Sequence, residues 1–263
     1  MAKQPTEIGL DDLAKVSGGQ LSLGTAGQDT INTGGTNDIV AGFAGNDMIA
    51  TDTGADTVYG HEGDDTVSSG EGSDILWGDS GNDLLTAGGG EDTLAGGAGH
   101  DQLQGGDGND FLSGQDGNDT IMGDQGRDYL EGGSGGDSLS GGDQNDTLFG
   151  GEGNDMLDGG GRDGAADNVS GEGGDDNYVW GTAYGNDTFL GGEGRDTITL
   201  NGVTEQQLRD GLNLGGANVT MLVGASGLVS FLDAAGQPTS VTGTFTLGGE
   251  RLSFHQVENF RLG

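Results

Sequence analysis

The apolar positions of this chain are sparse and strictly spaced over about half of its length. From Ile31 to Leu157 one aliphatic residue recurs at every ninth position, fifteen times without a miss. Most residues between them are Gly, Asp, Asn, Ser or Thr. Each aliphatic residue with its two neighbours predicts a three-residue strand whose aliphatic side chain points inward.

Aspartate and glycine repeat with the same period. An aspartate stands two residues before each aliphatic residue, and Gly stands two residues before the aspartate in thirteen of fifteen copies, with Thr36 and Gln144 as exceptions. Glycine permits positive φ, so this half of the repeat predicts a turn. Columns in fixed register indicate stacked repeats rather than chance. The fifteen aspartates are Asp29, Asp38, Asp47, Asp56, Asp65, Asp74, Asp83, Asp92, Asp101, Asp110, Asp119, Asp128, Asp137, Asp146 and Asp155.

The period loosens after residue 158. Four further aspartates follow at spacings of twelve, nine, eleven and nine residues. They are Asp167, Asp176, Asp187 and Asp196. Aromatic side chains also concentrate here, at Tyr178, Trp180, Tyr184 and Phe189. We expect these aromatics to close the open end of a core rather than to bind a ligand.

From residue 200 onward glycine becomes less frequent and the apolar runs lengthen. A short helix is predicted over 204–212. Strands bounded by Gly, Ala or Pro are predicted over 219–223, 228–232, 244–247, 252–254 and 256–262. The region 200–263 therefore reads as a small β cap.

Composition opposes the unaided folding of an ordinary globular domain. The 263 residues include 61 Gly and 44 Asp+Glu against 8 Lys+Arg, a formal net charge of −36. Only 30% of the residues are hydrophobic and 5% aromatic, too few for a conventional core. A chain of this kind should be disordered unless it recruits cations.

The same numbers exclude several functional classes. With no Cys, neither a disulfide framework nor a Cys-based zinc site can form. The negative charge opposes binding to nucleic acid and to anionic membrane surfaces. No apolar run approaches the ~20 residues that span a bilayer.

Over residues 24–158 the unit resembles the RTX nonapeptide, G-G-x-G-x-D-x-U-x. The closest copies are GGDGNDFLS at 105–113 and GGEGNDMLD at 150–158. The resemblance implies an all-β fold: a right-handed parallel β-roll, a β-solenoid with two repeats per coil, followed by a C-terminal β cap. Fifteen repeats make about seven and a half coils. We expect less tight turns where the second Gly is replaced, at Phe43, Asp52, His61, Asp79, Gln115 and Asp124.

The resemblance also implies Ca²⁺, held between neighbouring coils by the repeat aspartates and by turn carbonyls. Aspartates 18 residues apart then lie ~4.8 Å from each other along the stack. Two bare carboxylates at that spacing repel by ~0.9 kcal/mol in water. The regular repeats contain thirteen such pairs. A solvated acidic face is the alternative interpretation, but charge runs do not usually keep a nine-residue register.

We therefore predict calcium at all nineteen aspartates, about one ion per pair of repeats 18 residues apart. Calcium favours six or more oxygens, whereas magnesium demands tight octahedral geometry. Zinc would require His or Cys ligands. Because the bare roll should not form, folding and metal binding become one event.

Residues 1–19 differ in kind from the repeats. They resemble a double-glycine leader, removed after Gly19 by the peptidase domain of certain ABC exporters. The matching residues are Leu13, Val16, Ser17, Gly18 and Gly19. The alternative is a short helix that caps the roll. In the RTX family the C-terminal flank often carries the type I secretion signal, so either end could be the one that the exporter reads.

These patterns predict four regions. They are a leader over 1–19, a regular roll over 20–158, irregular terminal repeats over 159–199, and a β cap with a secretion region over 200–263. No nucleophile elbow or catalytic triad can be assigned, and His61, His100 and His255 read as surface histidines.

The sequence thus predicts a non-catalytic, secreted or cell-surface calcium-binding protein. Its expected partners are calcium and an ABC exporter with its leader peptidase, without nucleic acid or a membrane span. The main alternative is an adhesin, matrix or surface-filament protein that self-assembles through calcium-loaded rolls. Ice binding is disfavoured because no Thr ladder exists, and an enzyme is disfavoured because no site can be assigned.

Overall fold

The strands of the repeat region stack in parallel, each on the strand two places later in the chain. The computed structural model describes residues 19–160, 163–181, 183–217, 220–224 and 226–263. Over these residues the chain is an all-β parallel solenoid whose roll has about ten coils. Each coil contributes one strand to each of two sheets. This architecture confirms the predicted β-roll.

The twenty roll strands alternate between the two sheets. The first sheet contains β1 (Leu21–Leu23), β3 (Ile39–Ala44), β5 (Thr57–Glu62), β7 (Ile75–Ser80), β9 (Thr93–Ala98), β11 (Phe111–Asp116), β13 (Tyr129–Ser134), β15 (Thr147–Glu152), β17 (Asn168–Gly173) and β19 (Thr188–Glu193). The second contains β2 (Thr30–Asn32), β4 (Met48–Ala50), β6 (Thr66–Glu71), β8 (Leu84–Gly89), β10 (Gln102–Asp107), β12 (Thr120–Gln125), β14 (Ser138–Asp143), β16 (Met156–Gly160), β18 (Asn177–Gly181) and β20 (Thr197–Asn201).

Register follows the repeat without slippage. Leu112 of β11 pairs with Leu130 of β13, 18 residues later, so two nonapeptides make one coil. The aliphatic side chains point inward and are almost completely buried, Leu112 and Leu130 among them. Their columns on the two sheets form one continuous core. The inward-facing column predicted from the period is therefore confirmed.

Most roll strands have six residues rather than the three predicted. In β11 the pairing skips Gly114 and resumes at Gln115 and Asp116. Identical coils stacked in register keep pairing beyond the aliphatic residue, so the first half of the glycine segment belongs to the strand. The turn proper is confined to the few residues before each aspartate.

The residues that replace the second Gly adopt glycine-like backbone angles. Phe43, His61 and Asp79 have φ of 76°, 77° and 71° and pair with one another in register. Inter-coil hydrogen bonds persist beside them, so looser turns are not observed there. Asp52 differs: β4 ends at Ala50, and only an isolated bridge from Thr53 to Glu71 follows.

The roll continues past the regular repeats, so the expected seven and a half coils are too few. Strands β17 to β20 pair in parallel with the coils before them. The coil offset lengthens from 18 to 21 residues, as in the step from Asp146 to Asp167, and then to 20, as from Asp167 to Asp187. Extra residues in a turn leave the strands in place, because the ladder bonds and the buried column fix the register.

The cap closes the end of the roll. Its elements are α1 (Glu205–Gly211), β21 (Leu212–Asn213), β22 (Thr220–Val223), β23 (Leu228–Leu232), β24 (Val241–Leu247), β25 (Glu250–Val257) and β26 (Asn259–Leu262). Thr204 and Gln207 form a capping box at the start of α1. Strands β25 and β26 continue the two sheets in parallel, whereas β23 and β24 pair with them antiparallel.

The aromatic residues fill the core beneath the cap, as predicted. Tyr178, Trp180 and Phe189 are fully buried, and Tyr184 packs against the same cluster. The Trp180 ring meets Phe245 of the cap edge-on at 5.6 Å. These contacts widen the core from single aliphatics to an aromatic layer that spans the roll and the cap.

Candidate metal centre

The structure gathers the nineteen predicted aspartates into two columns, one on each flank of the roll. Each aspartate occupies the turn immediately before a strand. Column one precedes the strands of the first sheet and contains Asp38, Asp56, Asp74, Asp92, Asp110, Asp128, Asp146, Asp167 and Asp187. Column two precedes the strands of the second sheet and contains Asp29, Asp47, Asp65, Asp83, Asp101, Asp119, Asp137, Asp155, Asp176 and Asp196.

Each column is held together by a ladder of hydrogen bonds. The backbone N–H of Asp92 donates to Oδ1 of Asp110 at 2.9 Å, and the N–H of Asp110 donates to Oδ1 of Asp128 at 2.8 Å. Seventeen such bonds, of 2.7–3.1 Å, link the nineteen aspartates. One oxygen of seventeen of these carboxylates is thereby fixed between two coils.

The second oxygen of most column carboxylates is buried without a partner. Among the described residues this holds for Oδ2 of sixteen of the nineteen aspartates. Two of the other three have donors: Asp187 Oδ2 accepts from the Tyr178 hydroxyl at 3.0 Å, and Asp29 Oδ2 accepts from Thr25. A buried carboxylate oxygen without a donor costs several kcal/mol unless a cation compensates it.

A small oxygen-lined space adjoins the unpaired atom in the twelve turns whose first repeat position is Gly. A Cβ placed on Gly105 would overlap Oδ2 of Asp110 and lie 3.0 Å from the carbonyl oxygen of Gly123, one coil further on. The same arrangement recurs at Gly42, with Asp47 on one side and the Gly60 carbonyl at 3.0 Å on the other. The absence of a side chain at Gly keeps this space open, whereas Thr33, Thr51, Ser69 and Ala87 occupy the first repeat position before Asp38, Asp56, Asp74 and Asp92.

The donor set fits calcium. Carboxylate and carbonyl oxygens are the hard ligands that Ca²⁺ prefers, and its flexible geometry suits one carboxylate and one carbonyl per coil. In the part of the chain that the structure describes, His, Asp and Glu side chains form no group of three close enough to hold a metal by themselves. A bound calcium would supply the positive charge that each column lacks.

Burial shifts fifteen of the nineteen column carboxylates toward their protonated form. It raises the pKa of Asp83 and Asp92 to about 7 and that of Asp146 to about 8. The ladder N–H opposes this shift, whereas the neighbouring column carboxylates reinforce it through like-charge repulsion. Positive charge between the coils would favour the ionised form.

Sequence reasoning missed a second ladder, formed by the residues that precede many of the aspartates. The N–H of His100 donates to Asn82 Oδ1 at 2.9 Å, and the N–H of Asn118 donates to His100 Nδ1 at 2.8 Å. The recurring Asn-Asp pairs in the sequence were the available signal. His100 thus substitutes for an asparagine in a turn.

The other two histidines also lie outside the aspartate columns. The His61 ring stacks between Phe43 and Tyr59, and its Nδ1 lies 2.9 Å from a carboxylate oxygen of Asp79 on the outer face of the first sheet. His255 is exposed on β25. Their positions agree with the interpretation of both as surface residues.

The fold and its two oxygen-lined columns define a class of repetitive β-solenoid with cation-binding turns. Comparison with family models gives the particular family: the RTX calcium-binding nonapeptide repeat matches residues 21–49, 41–76, 69–103, 96–130, 131–161 and 182–202. Together these matches cover more than half of the chain, which therefore belongs to the RTX calcium-binding repeat family.

Other comparisons add little. None of the curated proteins compared with the chain matches it. Among solved structures, the extracellular lipase LipA from Serratia marcescens is 16% identical, with a TM-score of 0.19. The alignment covers 95% of this chain and 40% of the lipase chain, so this protein spans well under half of the lipase's length. Among the described residues there is no helix long and apolar enough to cross a membrane.

Proposed function

We propose that this protein is secreted by a type I exporter and that its roll folds when Ca²⁺ enters the two aspartate columns outside the cell. The observation that carries the proposal is the repeated unpaired Oδ2 in the turns, buried at sixteen positions. Without cations these carboxylates oppose the fold. With cations they join adjacent coils, so metal binding contributes directly to folding.

In this proposal the nineteen column aspartates are the calcium ligands, together with backbone carbonyls of the turns. The seventeen inter-coil aspartate pairs set an upper scale for the number of ions, four more than the thirteen pairs counted in the regular repeats. The expected dissociation constants are those of extracellular modules, ~10⁻⁴–10⁻³ M. At cytosolic calcium the chain would then stay unfolded and competent for export.

The export step rests on the sequence. Residues 1–18, which carry most of the leader prediction, lie outside the described residues. We propose cleavage after Gly19 by the exporter's peptidase, and the same boundary separates the leader from the roll. Sequencing the N-terminus of the secreted protein should give Gln20; a protein that begins at Met1 or Ala2 would contradict this part of the proposal.

A non-catalytic role is part of the same proposal. It is supported by the histidines, which occupy a turn ladder, an aromatic stack and an exposed cap strand. Calcium-loaded protein should therefore be inactive in a broad hydrolase screen. Reproducible turnover that is lost on chelation would contradict it.

Circular dichroism during a calcium titration tests the central claim. The β signal of chelator-treated protein should rise with calcium, in a cooperative transition, and magnesium at equal concentration should fail to reproduce it. Sedimentation velocity in parallel should show a compact monomer and would reveal filaments if the rolls self-assemble. A chelated sample as ordered and compact as the loaded one would disprove coupled folding.

A further inference from the structure

The last two strands of the cap continue the roll as an additional coil. Strand β25 pairs in parallel with β19, and β26 pairs in parallel with β20. The pairing of Thr197 with Asn259 places Glu258 beside Asp196, the position that the next column aspartate would occupy. The nine-residue period does not predict this position for Glu258, because Glu258 lies 62 residues after Asp196.

Glu258 makes the contacts of a column aspartate. The N–H of Asp196 donates to Glu258 Oε2 at 2.7 Å, as each earlier aspartate donates to the carboxylate one coil later. The Asp196 carbonyl accepts from the N–H of Asn259 at 2.9 Å, which matches the bond from Tyr129 N–H to the Asp110 carbonyl at 2.8 Å. A glutamate from the cap thus completes the ladder of column two.

The oxygen-lined space is preserved at this junction. A Cβ on Gly191 would overlap both Oδ2 of Asp196 and the carbonyl oxygen of Gln256, as it would overlap its neighbours at the regular turns. Gln256 has φ of 54°, the left-handed region that favours glycine. Asp196 is fully buried, and its Oδ2 has no hydrogen-bond partner among the described residues.

Column one ends differently. The pairing of Thr188 with Ser253 places Leu252 beside Asp187, so no carboxylate follows in that column. The Tyr178 hydroxyl donates to Asp187 Oδ2 instead. The cap therefore adds a carboxylate to column two, whereas column one ends at the hydroxyl of Tyr178 on the roll strand β18.

We propose that Glu258, Asp196 and the Gln256 carbonyl form a terminal calcium site that joins the cap to the roll. This inference rests on the function proposed above and adds a ligand that the repeat pattern does not contain. Calcium at this site would bridge two segments 62 residues apart, so docking of the cap becomes calcium-dependent.

The test compares Glu258→Gln with wild type in the full-length chain. The glutamine keeps an oxygen that can accept from the Asp196 N–H but removes the charge. Calorimetric titration with calcium should show one ion fewer. In a Trp77→Phe background, in which Trp180 is the remaining tryptophan, the calcium midpoint of its fluorescence change should rise about tenfold.

Glu250→Gln is the matched control. Glu250 is also a cap carboxylate on β25, and its Oε2 accepts from the Ala183 backbone N–H at 2.7 Å. It adjoins no unpaired aspartate oxygen among the described turns. Glu250→Gln should bind as many calcium ions as wild type, and the calcium midpoint of its fluorescence change should stay within twofold of wild type.

Glu258→Asp tests whether the charge is needed even if the glutamine variant fails to fold. Aspartate occupies all the remaining positions of column two, so this variant should bind as many calcium ions as wild type. Loss of one ion would overturn the proposal. An unchanged ion count and midpoint in Glu258→Gln would also overturn it, leaving Glu258 as a backbone cap alone. Wild type that binds no calcium would instead refute the proposed function itself.

Discussion

At the residue scale, one side chain serves two purposes in this fold. The Oδ1 of a column aspartate satisfies a backbone N–H of the previous coil, whereas its Oδ2 stays buried and unpaired, as at Asp110. The first task needs only an acceptor, and the second needs negative charge near a cation. Substitution by asparagine separates the two, since the amide keeps the acceptor and removes the charge.

Asp110→Asn should therefore weaken calcium binding without unfolding the loaded roll. We expect at least one ion fewer by calorimetry and a calcium midpoint raised about tenfold, or about 1.4 kcal/mol. Asp116→Asn, on the exposed end of the adjacent strand β11, removes the same charge from the surface and should change the midpoint less than twofold. Equal effects of the two variants would show that only net charge matters.

The glycine that stands two residues before most column aspartates is required for a different reason. Gly153 has φ of 134°, and a Cβ there would overlap the carbonyl oxygen of Gly135 in the previous coil. Gly153→Ala should destabilise calcium-loaded protein by about 2 kcal/mol or more, because backbone strain and overlap add. Thermal denaturation at saturating calcium measures the loss.

Gly27 provides the control because it stands at the same repeat position, two residues before Asp29 in the first described coil. A Cβ there meets nothing within 4 Å, and φ is not in the left-handed range. Gly27→Ala should leave the midpoint of denaturation within a few degrees of wild type. A loss as large as that of Gly153→Ala would contradict the steric explanation.

At the scale of elements, the repeated features could be predicted from the sequence, whereas the features that do not repeat could not. The period of nine is enough to assign the column aspartates and the inward aliphatics, because stacking in register reproduces each local choice at every coil. The region around Asp167 and Asp187 was predicted as irregular terminal repeats but not counted as coils, because its inserted turn residues break the period but not the strand ladder. The position of Glu258 in column two could not be predicted from the sequence, because its partner Asp196 lies 62 residues earlier in the chain.

Aromatic packing also holds the junction between roll and cap. Trp180 is fully buried against Phe245, and Trp180→Ala should cost about 3–5 kcal/mol. Trp77 stacks on Tyr59 at 4.7 Å on the half-buried outer face of β7, so Trp77→Ala should cost only about 1 kcal/mol. Denaturation at saturating calcium compares the two, and a larger loss for Trp77 would contradict the role given to the aromatic layer.

At the scale of the whole molecule, stability is a sum over neighbouring coils. Each coil contacts only the coils before and after it, as in other solenoids. The free energy of one coil–coil interface is therefore repeated at each step along the stack. Each interface between regular repeats combines one or two buried aliphatics with a pair of carboxylates in each column. The sign of the carboxylate contribution therefore decides whether the entire roll forms.

Protonation of the column carboxylates should remove their unfavourable contribution to stability, as calcium binding does, but less completely. Folding raises the pKa of most column aspartates, to about 7 at Asp83 and Asp92, from about 4 in an unfolded chain. The folded state thus binds protons more tightly than the unfolded state. Their contribution to stability is fully present below about pH 4 and is lost as the pH rises through about 7.

Chelator-treated protein should consequently gain β structure by circular dichroism as the pH falls from 8 to 4. Calcium-loaded protein should respond in the opposite sense and release its ions over the same range, because protons compete for the same carboxylates. Sedimentation velocity at each pH separates compaction of the monomer from aggregation. If the chelated chain stayed unfolded and monomeric at pH 4, repulsion between the column carboxylates could not be what keeps the bare roll from forming.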